Sequence, residues 1–198
     1  MCSLAPKVYA DVFTVNSKLN MNIRILDSCD KEDVTKLFSS VFTSSEGEGE
    51  GKLISGLAAA LTVRADNKDV IGMGAFADEM LTGAIFFTRL RFREPVEAYM
   101  LSPVAVSTTH QGTGAGQALI RHGLDVLKSR SVALVVTYGD PAFYAKTGFK
   151  TLSEDVIPAP WTLSMPHGWL GQSLLGDVLP TLSDRPSCVP EFNNSAYW

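Results

Sequence analysis

The sequence predicts a mixed α/β domain, and three observations carry that reading. Apolar residues recur at helical spacing in three separate segments. Two segments that read as strands are joined by a short polar turn at Asp78-Glu79. A glycine-rich turn also stands between an apolar strand and a helix. At 198 residues the chain has the size of one ordinary domain. With 45% hydrophobic and 19% charged residues it can bury a sizeable core.

The elements follow in order. Met21, Ile23 and Ile25 alternate with polar residues as in a half-buried strand, and the domain is expected to begin there. Residues 1–20 read as an extension or leader, with a real extra strand around Val8–Val15 as the alternative. Asp30 offers an N-cap to a helix whose inner face is Val34, Leu37, Phe38, Val41 and Phe42. Ser44–Gly51 reads as a flexible acidic loop, because glycine loses so much backbone entropy in a regular element. Leu53, Ile54, Leu57 and Leu61 predict a second helix ending near Ala65. Asn67-Lys68-Asp69 marks a turn, and Val70–Phe76 with Thr82–Phe92 forms an antiparallel hairpin. In its second strand Arg89, Arg91 and Arg93 share one face.

Val96–Val106 is the next expected strand, with Pro103 as an irregularity. The turn Gln111–Gly116 feeds a helix with Leu119, Ile120, Leu124 and Leu127 on one side. Val132–Thr137 is an uninterrupted apolar strand, as burial on both faces requires. Pro141 opens a short helix through Phe143 and Tyr144 that Gly148 stops. The domain is expected to span 21–157, and a proline-rich segment, 158–198, to pack on it or extend it.

Charge and composition exclude several functions. A net charge of −4 argues against a general nucleic-acid binder, which needs a basic surface. No apolar run approaches bilayer length, and Lys7, Asp11 and Lys18 interrupt the apolar centre that a signal peptide needs. Three dispersed cysteines make no disulfide framework, and neither they nor His110, His122 and His167 have zinc-ligand spacing. No metal is expected, and the cytoplasm is the expected compartment.

The sharpest local signal is Gln111-Gly112-Thr113-Gly114-Ala115-Gly116. Glycines at such a turn leave backbone N–H groups uncovered at the positive end of a helix dipole, an arrangement suited to a pyrophosphate. The dinucleotide fingerprint fails, because Leu119 stands where its third spaced glycine would be. The nucleotide P-loop fails too, because Gly116 is followed by Gln117-Ala118 rather than Lys-Ser/Thr.

The segment from Leu101 to Ile120 resembles motif A of the GNAT N-acetyltransferase superfamily: a hydrophobic strand, then Gln/Arg-x-x-Gly-x-Gly/Ala. Asp140-Pro-Ala-Phe-Tyr144-Ala-Lys-Thr-Gly148-Phe149 resembles its second signature, Tyr-x-x-x-Gly-Phe. Details around both motifs are similar to a bacterial branch of predicted N-acetyltransferases. The likeness runs from Met21 to Phe149 and implies a GNAT fold. That fold has a central, mostly antiparallel twisted sheet flanked by helices, with strands splayed at the acetyl-CoA slot.

The resemblance also implies function. Acetyl-CoA would be the cosubstrate, and an amine of a small molecule or peptide the acceptor, attacking directly in a ternary complex. Gln111, Gly112, Thr113, Gly114, Ala115 and Gly116 would cradle the pyrophosphate. Val104, Ala105 and Val106 would offer main-chain groups to pantetheine. Tyr144 matches the tyrosine that protonates the departing thiolate, as a phenol of pKa ~10 can do for a thiolate of pKa ~8.5; a core aromatic is its other reading. The glutamate that some members carry eleven positions before the motif glutamine is Met100 here; Glu97, on the opposite face of a regular strand, is the candidate base, with a solvated or structural acid as its other reading. A non-catalytic acyl-CoA-binding protein is the alternative function. Trp161, Trp169 and Trp198 either line an acceptor pocket or staple the tail. Many members of the superfamily dimerise, with the segment after Pro158 as the expected exchange surface here.

Overall fold

The computed structural model describes residues 21–176 and 178–198 together with the backbone of 13–15. Eight strands form one sheet in the order β1-β2-β3-β4-β5-β6-β8-β7. β1 (Phe13–Val15) pairs antiparallel with β2 (Met21–Ile25), so within 1–20 a strand exists where the extra-strand alternative placed it. The remainder of the 1–20 expectation lies outside the described residues. β3 (Val70–Ala77) and β4 (Met80–Leu90) flank Asp78 and Glu79, whose φ values of 46° and 64° close a two-residue turn. Positive φ at both central residues matches the natural twist of a hairpin. β5 (Ala98–Val106) and β6 (Leu134–Tyr138) run parallel, against antiparallel pairing of β6 with β8 (Trp169–Ser173) and of β8 with β7 (Lys150–Thr151).

Contacts divide the chain into two compact units. One holds the chain up to Asn67 with Ile71–Phe86 and Pro103–Leu119; the other holds Lys68–Val70, Phe87–Ser102 and Ile120–Trp198.

In the first unit, two helices replace the expected acidic loop. α1 (Lys31–Glu46) runs on, breaks only at Gly47 with φ 95°, and α2 (Glu48–Arg64) starts at once. The loop expectation weighed the entropy cost of Gly49 and Gly51 and missed what Gly51 provides. A Cβ on Gly51 would lie 2.0 Å from Thr43 Oγ1, 2.9 Å from its nitrogen and 3.0 Å from its Cα. Only a missing side chain lets the helices approach that closely. The N-cap expectation for Asp30 also changes. It sits at the position ahead of α1 but makes no side-chain cap bond. Its carboxylate instead takes a bidentate Arg24 guanidinium at 2.7 and 2.8 Å and the Asp27 N–H at 2.9 Å. The Asp27 contact completes a capping box on the 3-10 turn Ser28–Asp30, so the carboxylate serves that turn and Arg24 rather than α1. Ile23, Val34, Phe38, Leu57, Leu61 and Phe86 are among the buried residues of this unit.

In the second unit the three arginines of one face each find an acid: Arg89 pairs with Glu97, Arg91 with Asp69, Arg93 with Asp184. The 158–198 segment is more structured than its weak pattern suggested, because β8 lies inside it. Gly171 in β8 leaves room for Leu152, whose Cδ1 would stand 2.5 Å from an added Cβ. Trp169 and Trp198 are buried edge to face at 6.3 Å and donate to the Ile157 and Phe192 carbonyls. Of their two readings the staple holds, while Trp161 is exposed.

Candidate active site

The first unit carries the glycine turn. A short 3-10 turn, Thr108–His110, leads from β5 into Gln111–Gly114, and α3 (Ala115–Ser129) follows. Gly112 and Gly114 have φ of 74° and 90°, a region that costs an L-residue roughly 1–2 kcal/mol. An added Cβ would meet nothing within 4 Å at either glycine, so the turn faces open space. Among the described residues, no backbone carbonyl takes the N–H of Gly112, Thr113 or Gly114. The Gly114 carbonyl receives the Ala118 N–H at 2.9 Å and so starts the helix. Three exposed donors ahead of a helix N-terminus form a receptor for an anion.

The scaffold of the turn comes from side chains. Gln111 Nε2 donates to the Val106 carbonyl at 2.9 Å, and Thr113 Oγ1 to the His110 carbonyl at 2.6 Å. The motif glutamine therefore braces the loop, and the Val106 carbonyl is engaged by it. Thr113 Oγ1 also approaches the Ala115 N–H at 3.4 Å, while Ala115 and Gly116 are buried. His110 is half-buried, its Nδ1 lying 2.8 Å from Ser107 Oγ and 3.0 Å from Thr109 Oγ1. A serine and a threonine within three positions of a histidine were the signal for this cluster.

The second unit carries Tyr144. Asp140 caps α4 (Pro141–Tyr144) by accepting the Ala142 N–H at 2.9 Å, and Gly148, at φ 96°, ends the following 3-10 turn. Arg121 Nη2 donates to the Lys146 carbonyl at 2.7 Å and ties that turn to α3. The Tyr144 ring is buried edge-on between Phe143 and Phe149, with centroids 5.1 and 5.7 Å away. Gly139 lies beneath it: a Cβ there would come within 2.9 Å of Tyr144 Cε2. Burial pushes the phenol above its ordinary pKa, and the Asp140 carboxylate adds to the rise. Hydrogen bonding with Thr137 works the other way and lowers it.

Thr137 closes the β5–β6 ladder, which runs from Ala98↔Leu134 to Leu101↔Thr137. β5 itself continues through Val104 and Ala105 to Val106. Glu97 stands at the other end of that ladder, just ahead of β5. Its carbonyl accepts the Ala133 and Leu134 N–H groups and its carboxylate pairs with Arg89. The structure therefore does not bring Glu97 and Tyr144 together. Met100, at the family's glutamate position, is buried. Thr137 and Gly139 are the residues that sequence reasoning missed. A threonine directly after the apolar run Leu134–Val136 and a glycine directly before the Asp140 cap were the available signals.

Among the described residues there is no cluster of metal-ligating side chains, and no helix is long and apolar enough to cross a membrane.

The open glycine turn belongs to the first unit and the capped short helix with its buried tyrosine to the second. The acetyltransferase (GNAT) domain family model matches residues 22–152, and the chain belongs to that family. It is an N-acetyltransferase.

The N-acetyltransferase YjhQ of Escherichia coli K12 is 27% identical over 176 residues, covering 86% of this chain and 93% of YjhQ. The crystal structure of E. coli YhbS, a GNAT family N-acetyltransferase in complex with CoA, superposes with TM-score 0.72 at 25% identity. It covers 92% of this chain and 97% of that one. A Brucella melitensis GNAT acetyltransferase in complex with acetyl-CoA has TM-score 0.64 at 22% identity, covering 87% and 98%, and shares the fold.

Proposed function

We propose that this chain moves an acetyl group from acetyl-CoA to the amine of a small molecule or peptide by direct attack in a ternary complex. The open turn at Gly112–Gly114, with its uncommitted N–H donors, is the observation that carries this reading. Those donors receive the pyrophosphate, and Gln111, Thr113, Ala115 and Gly116 hold the turn in shape. The main chain of Val104, Ala105 and Val106 pairs with pantetheine. YhbS and the Brucella protein, whose structures hold CoA and acetyl-CoA, support this assignment.

In the reaction the amine nitrogen attacks the thioester carbonyl carbon and the C–S bond breaks. The sulfur takes the phenolic proton of Tyr144, whose burial keeps it protonated at neutral pH. Glu97 lies four strand residues from Leu101, roughly 13 Å at about 3.3 Å per residue. We therefore assign loss of the amine proton to water, with Glu97 as the carboxylate to be tested against it. Alignment of amine and thioester supplies most of the acceleration. The protein acts in the cytoplasm, needs no metal, and pairs as a homodimer through the segment after Pro158.

Calorimetric titration with acetyl-CoA, followed by thiol release over a panel of polyamines, aminoglycosides and peptide N-termini, tests this. Expected are binding by the wild type, weaker binding by Gly114→Ala, and turnover that Tyr144→Phe slows by roughly 100-fold while Glu97→Gln slows it less than about threefold. Binding without turnover on any amine would leave an acyl-CoA-binding protein. No binding would remove the assignment altogether.

A further inference from the structure

The turn that carries the anion donors has nothing outside it to lean on. A Cβ at Gly112 or Gly114 would meet no atom within 4 Å beyond its chain neighbours. Both glycines have positive φ, so their conformation has to be held from either side along the chain. Gln111 braces the turn from the strand, and His110 supplies a second hold. The His110 N–H donates to the Ser107 carbonyl at 2.8 Å. Its ring Nδ1 lies 2.8 Å from Ser107 Oγ and 3.0 Å from Thr109 Oγ1. Its carbonyl accepts Thr113 Oγ1 at 2.6 Å, across Gly112. Ser107 is fixed in turn, because its N–H donates to the Thr82 carbonyl of β4 at 2.8 Å. A continuous run of hydrogen bonds thus leads from β4 through Ser107 and His110 to Thr113. A hydroxyl both donates and accepts, so the Nδ1 contacts form with either ring tautomer. The ring is half-buried although Thr109 and Gln111 beside it are exposed.

We propose that His110 is a positioning residue for coenzyme A. Bound to Ser107 through Nδ1 and to Thr113 through its carbonyl, it presets the Gly112–Gly114 donors in the arrangement that receives the pyrophosphate. The proposal rests on the reading of that turn as the pyrophosphate cradle. In this role His110 touches no phosphate and transfers no proton. It spares the two glycines the ordering that ligand binding would otherwise impose, which is costly for residues with so many accessible backbone states. The other ring nitrogen, Nε2, has no part in it.

The test combines calorimetric titration with acetyl-CoA and backbone amide order parameters of the unliganded protein. The variants are His110→Ala, His110→Asn, His110→Gln and Ser107→Ala. Loss of the ring contact in His110→Ala is expected to weaken acetyl-CoA binding about fivefold. In wild type the Gly112, Thr113 and Gly114 amides should show order parameters near the rigid value of about 0.85; in His110→Ala they should fall towards about 0.6. Asparagine can place its amide group where Nδ1 stands, so His110→Asn should recover most of the affinity and order. Glutamine, whose amide reaches the position of Nε2, should not. Ser107→Ala should weaken binding as well, and adding it to His110→Ala should cost little more, because the two remove one contact. Recovery by glutamine and not by asparagine would mean that Nε2 meets the ligand directly, and overturns the proposal. A turn as ordered in His110→Ala as in wild type, or flexible in both, overturns it too. If His110→Ala does not fold, Ser107→Ala, which leaves every backbone bond in place, carries the same two measurements. A wild type that binds no acetyl-CoA removes the cradle reading and this inference with it. Wild-type binding that His110→Ala leaves unchanged removes this inference alone.

Discussion

Gly139 shows how much a single position governs. Its Cα stands so close to Tyr144 that an added Cβ would lie 2.9 Å from Cε2, a distance that Cβ atoms do not adopt without something shifting. In Gly139→Ala the ring must move, and the phenol at its tip moves further than the point of contact. We expect thiol release to fall between about 10- and 100-fold, because displacements near 1 Å at a reacting group cost on that order. Calorimetry with acetyl-CoA should give a dissociation constant close to wild type, since the glycine turn is untouched. Weakened binding equal to the lost rate would show a general disturbance instead. Asp30 teaches a related lesson. Its position reads as an N-cap, yet the side chain serves Arg24, whose guanidinium also lies 4.0 Å over the Phe76 ring.

At the scale of the element, two glycines of α2 make opposite predictions. Gly49 would meet nothing within 4 Å if it carried a Cβ, so Gly49→Ala should stabilise by about 0.5–1 kcal/mol through the unfolded-state entropy of glycine. Gly51 abuts the backbone of Thr43 as well as its side chain, so Gly51→Ala should destabilise by about 1–3 kcal/mol through overpacking. Thermal unfolding should therefore raise the midpoint for one variant and lower it for the other; shifts of the same sign would mean that helix propensity alone decides. The strands and helices with strong periodicity were legible in the sequence. β2, the β3–β4 hairpin, α3 and the capped α4 all stand where apolar spacing and turn residues put them. The junction of α1 and α2 was not legible, because glycine's local cost is visible in a sequence while the helix-to-helix approach it permits is not. β8 escaped notice for a similar reason: Trp169-Leu-Gly-Gln-Ser is a strand because β6 and β7 are there to pair with it.

At the scale of the whole molecule, the segment 158–198 is predicted to be required for folding. β8 covers β6 along its full length, from Leu134↔Ser173 to Tyr138↔Trp169, and Trp169 is fully buried. Removing the segment would leave both the hydrogen-bonding edge of β6 and the apolar surface around Trp169 bare. A chain ending at Ile157 should show no cooperative melting by circular dichroism; a sharp transition would demonstrate that the tail is an accessory. The sequence by itself determined the class of the protein, since both motifs consist of residues whose backbone needs are local: glycines for positive φ, a proline and an aspartate for a helix start. It also determined the candidates for the cofactor turn and for the acid. Only the tertiary structure decided that Glu97 answers to Arg89, that Gln111 braces the turn from within, and that Thr137 donates to the Leu101 carbonyl. Those assignments depend on where the folded backbone places each partner, from five residues away for Gln111 and Val106 to 36 for Thr137 and Leu101, and a hydroxyl or carboxylate does not announce its partner in a sequence.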